Sequence, residues 1–162
     1  MPIPELGQIR NIALVGHGGS GKTSLAEALL FKAGATTRLG KVQDHSSILD
    51  YTEESREKRS SLDSAVGYFS YKGLHVNFVD TPGTMAFTGP AIAALSAVET
   101  AIVVISAHAG IQVNTRRMFE RARELGLGIW IVINHIDAPN VDLPELLSQV
   151  KESFGTQCVP IN

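Results

Sequence analysis

Eight consecutive residues constrain this chain more than any others: Gly16-His17-Gly18-Gly19-Ser20-Gly21-Lys22-Thr23. An apolar run, Ile9 to Val15, precedes them, and a helix-like segment, Ser24 to Ala33, follows. Strand, glycine-rich loop and helix in that order are the setting of a phosphate-binding loop. The glycines let the backbone turn tightly enough for several N–H groups to face one anion. The helix start adds unpaired N–H groups and the positive end of its dipole. Lys22 supplies a point charge for β- and γ-phosphates, and Thr23 a hydroxyl for Mg²⁺. The phosphate-binding set is therefore Gly16, His17, Gly18, Gly19, Ser20, Gly21, Lys22, Thr23 and Ser24. It points to a nucleoside phosphate without naming the base.

Around this loop the chain reads as alternating strands and helices. The first helix carries Leu25, Ala26, Leu29 and Leu30 on one face and ends at Gly34. A long polar stretch, residues 36–64, holds the charge run Glu53-Glu54-Ser55-Arg56-Glu57-Lys58-Arg59, in the place where a nucleotide-sensing loop would lie. Ala65 to Tyr71 and Leu74 to Val79, separated by Lys72-Gly73, predict a hairpin. It runs into Asp80-Thr81-Pro82-Gly83, where Asp80 is positioned to hold Mg²⁺ and Gly83 to bring its N–H against a γ-phosphate. Helices are expected over residues 90–100, 114–125 and, behind an Asp142 cap with Pro144 at its start, over the run Leu143 to Phe154. Strands are expected at 101–106, 128–133 (with Trp130 in the core or at a strand edge) and, briefly, at 157–161. That order implies a mostly parallel sheet covered on both faces, with ligands beyond the carboxyl ends of its strands.

Composition closes off other classes. The 162 residues suit one domain, 44% apolar and 19% charged, with a formal net charge of −2. No bulk basic field favours nucleic acid, and sequence-specific DNA binding is not expected. One cysteine, Cys158, leaves no internal disulfide and suits a reducing compartment. Residues 1–6 carry no signal-peptide pattern, and the apolar runs are too short to span a bilayer, so no membrane partner is expected. His17, His45, His75, His108 and His135 show no metal-ligand spacing.

The base is addressed by Asn134-His135-Ile136-Asp137, at the end of an apolar run. A carboxylate there can accept two hydrogen bonds from N1–H and the N2 amine of guanine, a pair that adenine lacks. Asn134 can tie this segment to the phosphate loop. The motif alone is weak, and a P-loop kinase or ATPase remains a competing reading of Lys22 and Asp80.

Taken together, these segments resemble the G domain of translational GTPases, with elongation factor G and its paralogues nearest. The parts that carry the resemblance are GHGGSGKT, DYTEESREKRSS, DTPG followed by MAFTG, SAHAGIQVNTRRMFERARELG and NHID, and it spans roughly Ile9 to Ile161. It implies a P-loop NTPase fold of the Ras-like type, a GTP/GDP switch with Mg²⁺, a ribosomal partner through the full-length protein, and a cytoplasmic location. Carried over by position, Lys22 and Thr23 hold phosphate and metal. Ser61 stands where the family has its first-switch threonine, Asp80 and Gly83 belong to the second switch, and Asn134, His135 and Asp137 form the base site. By the same comparison the chain stops at Asn162, before a Ser-Ala guanine motif, a last helix and further domains, which would leave an apolar sheet face uncovered.

Four positions depart from that family's pattern. Thr84 follows DTPG where a water-positioning histidine is usual, which makes it a weak candidate for a catalytic role beside Lys22. His135 replaces the lysine of the base motif, Gly19 stands where Asp is frequent, and Arg59-Ser60-Ser61 replaces Gly-Ile-Thr. The changes at Thr84 and Ser60-Ser61 lie beside the γ-phosphate, and they open a second reading: a GTP-binding regulatory paralogue with little or no hydrolysis.

Overall fold

A computed structural model describes residues 4–44, 46–49 and 61–161. Five strands form one sheet: β1 (Ile9–Gly16), β2 (Ala65–Tyr71), β3 (Leu74–Asp80), β4 (Thr100–Ser106) and β5 (Gly128–Asn134). Their spatial order is β2-β3-β1-β4-β5. The pairs β1–β3, β1–β4 and β4–β5 are parallel, and β2 runs antiparallel to β3. The expected α/β architecture is the observed one. Four helices among the described residues cover the sheet: α1 (Lys22–Lys32), α2 (Thr88–Leu95), α3 (Val113–Glu124) and α4 (Leu143–Phe154).

Each face has its own core. On one side Ala13, Val15, Val103 and Ile105 pack with Ala91 and Leu95 of α2, Met118 and Ala122 of α3, and Val150 and Phe154 of α4. Phe119 and Phe154 stack with ring centroids 4.1 Å apart, fixing α4 to α3. On the other side Leu14, Phe78 and Val104 pack with Ala26 and Leu30 of α1 and with Leu49. Trp130 pairs in register with Ile102 on the edge strand β5 and is left 56% exposed.

The local signals translate directly. Lys72 and Gly73 both take positive φ, the backbone of a tight hairpin whose twist matches its strands. Gly34 and Gly126 close α1 and α3 with the reversed bonds Ala35 N–H to Leu30 O and Leu127 N–H to Ala122 O. The Asp142 carboxylate accepts from Glu145 N–H at 3.0 Å and caps α4.

Two expectations are corrected. The helix expected over 90–100 spans Thr88–Leu95, and Thr100 already begins β4. Glu99 O accepts from Gly128 N–H, so the chain has joined the sheet by then. The strand expected at 157–161 is absent: Cys158 N–H turns back to Gly155 O, and Val159 and Ile161 face outward without a strand to pair with among the described residues. Alternating apolar residues signal a strand only where a neighbouring edge receives their N–H groups, and Pro160 has none to offer. The charge run 53–59, most of the DYTEESREKRSS segment and His45 lie outside the described residues.

Candidate functional site

Parallel pairing brings three segments to one end of the sheet. Leu14 aligns with Asp80, Gly16 with Val104, and Ser106 with Asn134, so β1, β3, β4 and β5 all deliver their carboxyl ends there. The phosphate-loop candidates, Asp80, Gly83 and the Asn134–Asp137 turn are thereby gathered around the start of α1.

That start is chemically unusual. Gly21 is its N-cap with φ +89, and no side chain caps the helix. A Cβ at Gly21 would overlap the Asn134 carboxamide, so this position has neither the conformation nor the room for another residue. The contrast with α4 is direct: Asp142 accepts one first-turn N–H there, whereas no side chain caps the first turn of α1.

Lys22 is 6% exposed. Its Nζ donates to His17 O at 2.9 Å and Gly16 O at 3.3 Å, folding back over its own loop. Burial lowers its pKa from the ordinary 10.5 to about 8, while the Asp80 charge pulls the other way. The two carbonyls and the buried Asp80 carboxylate together offset the desolvation of the ammonium only in part.

Thr23 Oγ1 donates to Asp80 Oδ2 at 2.6 Å and lies 3.3 Å from Ser61 Oγ. The three proposed metal-site residues therefore meet. All offer oxygen, which suits a hard cation. Among the described residues no group of three His, Cys, Asp or Glu side chains forms a protein-only metal cage. An oxygen set this small fits Mg²⁺ shared with phosphate and water. Gly83 rests directly on the loop: a Cβ there would collide with Lys22 Nζ and the Gly18 backbone. Thr84 follows as an exposed N-cap of the short 3-10 turn Met85–Phe87, its hydroxyl near Gly18.

At the other end Asn134 Nδ2 donates to Ser20 O at 3.0 Å, tying the turn after β5 to the phosphate loop. His135 takes φ +58 and places Nδ1 3.0 Å from Ser106 Oγ. Asp137, Gly18, Gly19 and Ser24 are exposed. A cleft of about 420 Å³ runs beside the loop, lined among others by His17, Gly18, Ser20, Ser106, His108 and His135.

Three buried polar residues make contacts that the motifs do not assign. Thr81 Oγ1 donates to Leu14 O at 2.6 Å and stitches the turn after β3 to β1. Glu27, fully buried on α1, collects Ser47 Oγ (2.7 Å), Ile48 N–H (2.7 Å) and Leu49 N–H (3.4 Å) on Oε1. Asn114, near the start of α3, donates to Gly83 O and Gly16 O. Glu27 had one usable signal, since it falls four residues after Thr23 on the same helical side.

Known proteins share this arrangement. Residues 7–161 match the family model described as the elongation factor Tu GTP binding domain. The chain is 36% identical over 152 residues to the tetracycline resistance protein TetM from transposon Tn1545 of Enterococcus faecalis, covering 94% of this chain and 24% of that protein. It is 34% identical over 155 residues to an elongation factor G-like protein of Mycobacterium tuberculosis, covering 96% and 22%. A crystal structure from Thermus thermophilus superimposes with a TM-score of 0.88 at 40% identity, over 91% of this chain and 22% of that one. Bacterial selenocysteine-specific elongation factor EF-Sec, at TM-score 0.65 and 23% identity over 89% and 22% of the two chains, shares the fold. The chain thus spans about a quarter of the length of the relatives it matches.

Proposed function

Because the chain belongs to the family of translational GTPase G domains, on its elongation factor G side, we propose that it works as a Mg²⁺-dependent GTP/GDP switch serving a ribosome-bound translation factor. The observation that carries this reading is the Asn134–Ser20 bond, which makes the base-reading turn and the phosphate loop one body. On that frame Gly16–Ser24 cradle the phosphates, Lys22 neutralises them, and Gly83 meets the terminal one. Asp137 selects guanine, with His135 covering the base in place of a lysine. Thr23, Asp80 and Ser61 supply oxygen to Mg²⁺, whose charge neutralises the phosphate oxygens when bound. No helix among the described residues is long and apolar enough to cross a membrane.

Titration with GTP, GDP and ATP tests the base assignment. Tight binding of GTP and GDP with ATP at least about a hundredfold weaker is expected, because a carboxylate facing adenine is left unpaired. Comparable ATP affinity would overturn the guanine reading, and chelating Mg²⁺ should weaken GTP more than GDP.

Thr84 supports a second reading, a GTP-binding regulator with little or no hydrolysis. It is exposed and has no imidazole to orient water, one of the few tasks left to a protein in phosphoryl transfer. Single-turnover hydrolysis by the full-length protein, with and without ribosomes, separates the two. Strong ribosome stimulation favours the turning-over switch, and activity gained by Thr84→His favours the regulator.

A further inference from the structure

Asn114 lies in the SAHAGIQVNTRRMFERARELG segment, to which no site role was given, yet it touches both the phosphate-loop strand and the turn after β3. It is 1% exposed, at the second residue of α3. Its Nδ2 donates to Gly83 O at 2.9 Å and to Gly16 O at 3.4 Å, residues 31 and 98 positions earlier. An amide NH₂ has two hydrogens, so both bonds coexist. The opposite orientation would press Oδ1 against two carbonyl oxygens, so the chemistry settles which way the amide points. Lys22 Nζ shares the same Gly16 carbonyl. The end of β1, the loop lysine, the glycine of the turn after β3 and the start of α3 therefore meet in one buried cluster. Asn114 Oδ1 has no hydrogen-bond partner in it. Burying an unsatisfied acceptor is costly, and a leucine of similar branching would avoid that cost. What the leucine would lose is the pair of donors.

We propose that Asn114 is a positioning residue for the second switch. It holds the Gly83–Thr84 peptide against the phosphate loop and so makes α3 sensitive to whether a terminal phosphate is bound. This rests on the guanine-nucleotide reading above. Fixing the Gly83 carbonyl fixes the plane of the peptide that starts Thr84. When Lys22 turns from Gly16 O toward phosphate, Asn114 remains as the donor to that carbonyl and keeps loop and turn in register. Losing it frees Gly83 from Gly16. The loss then falls on a triphosphate, which Gly83 meets, and spares a diphosphate, which it does not.

The test titrates the intact protein with GDP and with a non-hydrolysable GTP analogue. Asn114→Ala is expected to weaken the analogue about tenfold, the worth of one or two buried hydrogen bonds, while GDP stays within about twofold. Asn114→Leu, which keeps the branched shape but carries no donor, should show the same split. Asn114→Gln, which keeps both donors, should restore most of the discrimination. Equal weakening of both nucleotides, or no change in either, would overturn the proposal and assign Asn114 a purely structural role. If the wild type bound neither nucleotide, the switch reading itself would fail, a result distinct from a wild type that binds both and an Asn114 variant that keeps their ratio.

Discussion

Helix α1 carries two buried charges five residues apart, and they are compensated in opposite ways. Lys22 has two carbonyls of its own loop as acceptors, and burial drags its pKa down to about 8. Glu27 has three donors converging on one carboxylate oxygen, supplied by Ser47, Ile48 and Leu49. On the switch reading one charge is held for a ligand, while the other binds a segment of the chain itself. On that reading a single helix serves both a ligand and a loop: its first turn faces the ligand, and its second turn fastens the segment that packs beside it.

The variant that should disturb this contrast most is Lys22→Met. On the switch reading it should weaken nucleotide binding by about a thousandfold, as loss of a buried charge-assisted contact does. At pH 7 the same variant should make the nucleotide-free protein more stable, because the buried ammonium is a net cost. Urea unfolding and nucleotide titration measure the two effects, and a variant that lost both stability and binding would contradict the idea of an under-compensated charge. Glu27→Ala should move the other way. It should destabilise the fold by about 3 kcal/mol by stranding buried donors, with Glu27→Gln nearer 1 kcal/mol because an acceptor oxygen remains.

Acidity probes the lysine side of the contrast. The folded pKa of Lys22 lies below its ordinary value, so between pH 8 and 10.5 the unfolded chain holds a proton that the folded one lacks. Stability of the nucleotide-free protein should therefore rise with pH across that window, by about 3 kcal/mol from this group, and the gain is lost again as pH falls to 8. Phosphate favours the charged form, so nucleotide affinity should fall above pH 8 with proton uptake on binding, readable by calorimetry in buffers of different ionisation heat. The smallest effect belongs to an exposed pair. Arg121 and Glu124 lie 3.0 Å apart on the surface of α3, and Arg121→Ala should shift the unfolding free energy by less than about 0.5 kcal/mol.

These tests also mark how much the residues disclosed in advance. The glycine-rich turn between β1 and α1, the hairpin at Lys72-Gly73, the caps at Gly34 and Asp142 and the layered architecture were legible because each depends on neighbours a few positions away. Glu27 was not, because a charged residue on a helix counts as solvated until a distant segment is known to cover it. The roles of Asn114 and Thr81 were hidden for the same reason: both stand in quoted segments, but their partners are tens of residues earlier. The strand expected at 157–161 failed in reverse, as local alternation promised a pairing that no edge among the described residues provides. Position in the fold can be read from short-range chemistry, whereas the use of a buried polar side chain is written only in the contacts that folding creates.

The central place of β1 has a kinetic consequence. Its two sheet neighbours, β3 and β4, come about sixty and ninety residues later, so the loop after β1 gains its walls only when long closures have been completed. The β2–β3 hairpin can zip early and locally, but it offers nothing for phosphate to hold. A nucleotide should therefore have little grip on the collapsing chain and a firm one on the finished sheet. Its presence during refolding should leave the forward rate almost untouched and act by slowing escape from the native state.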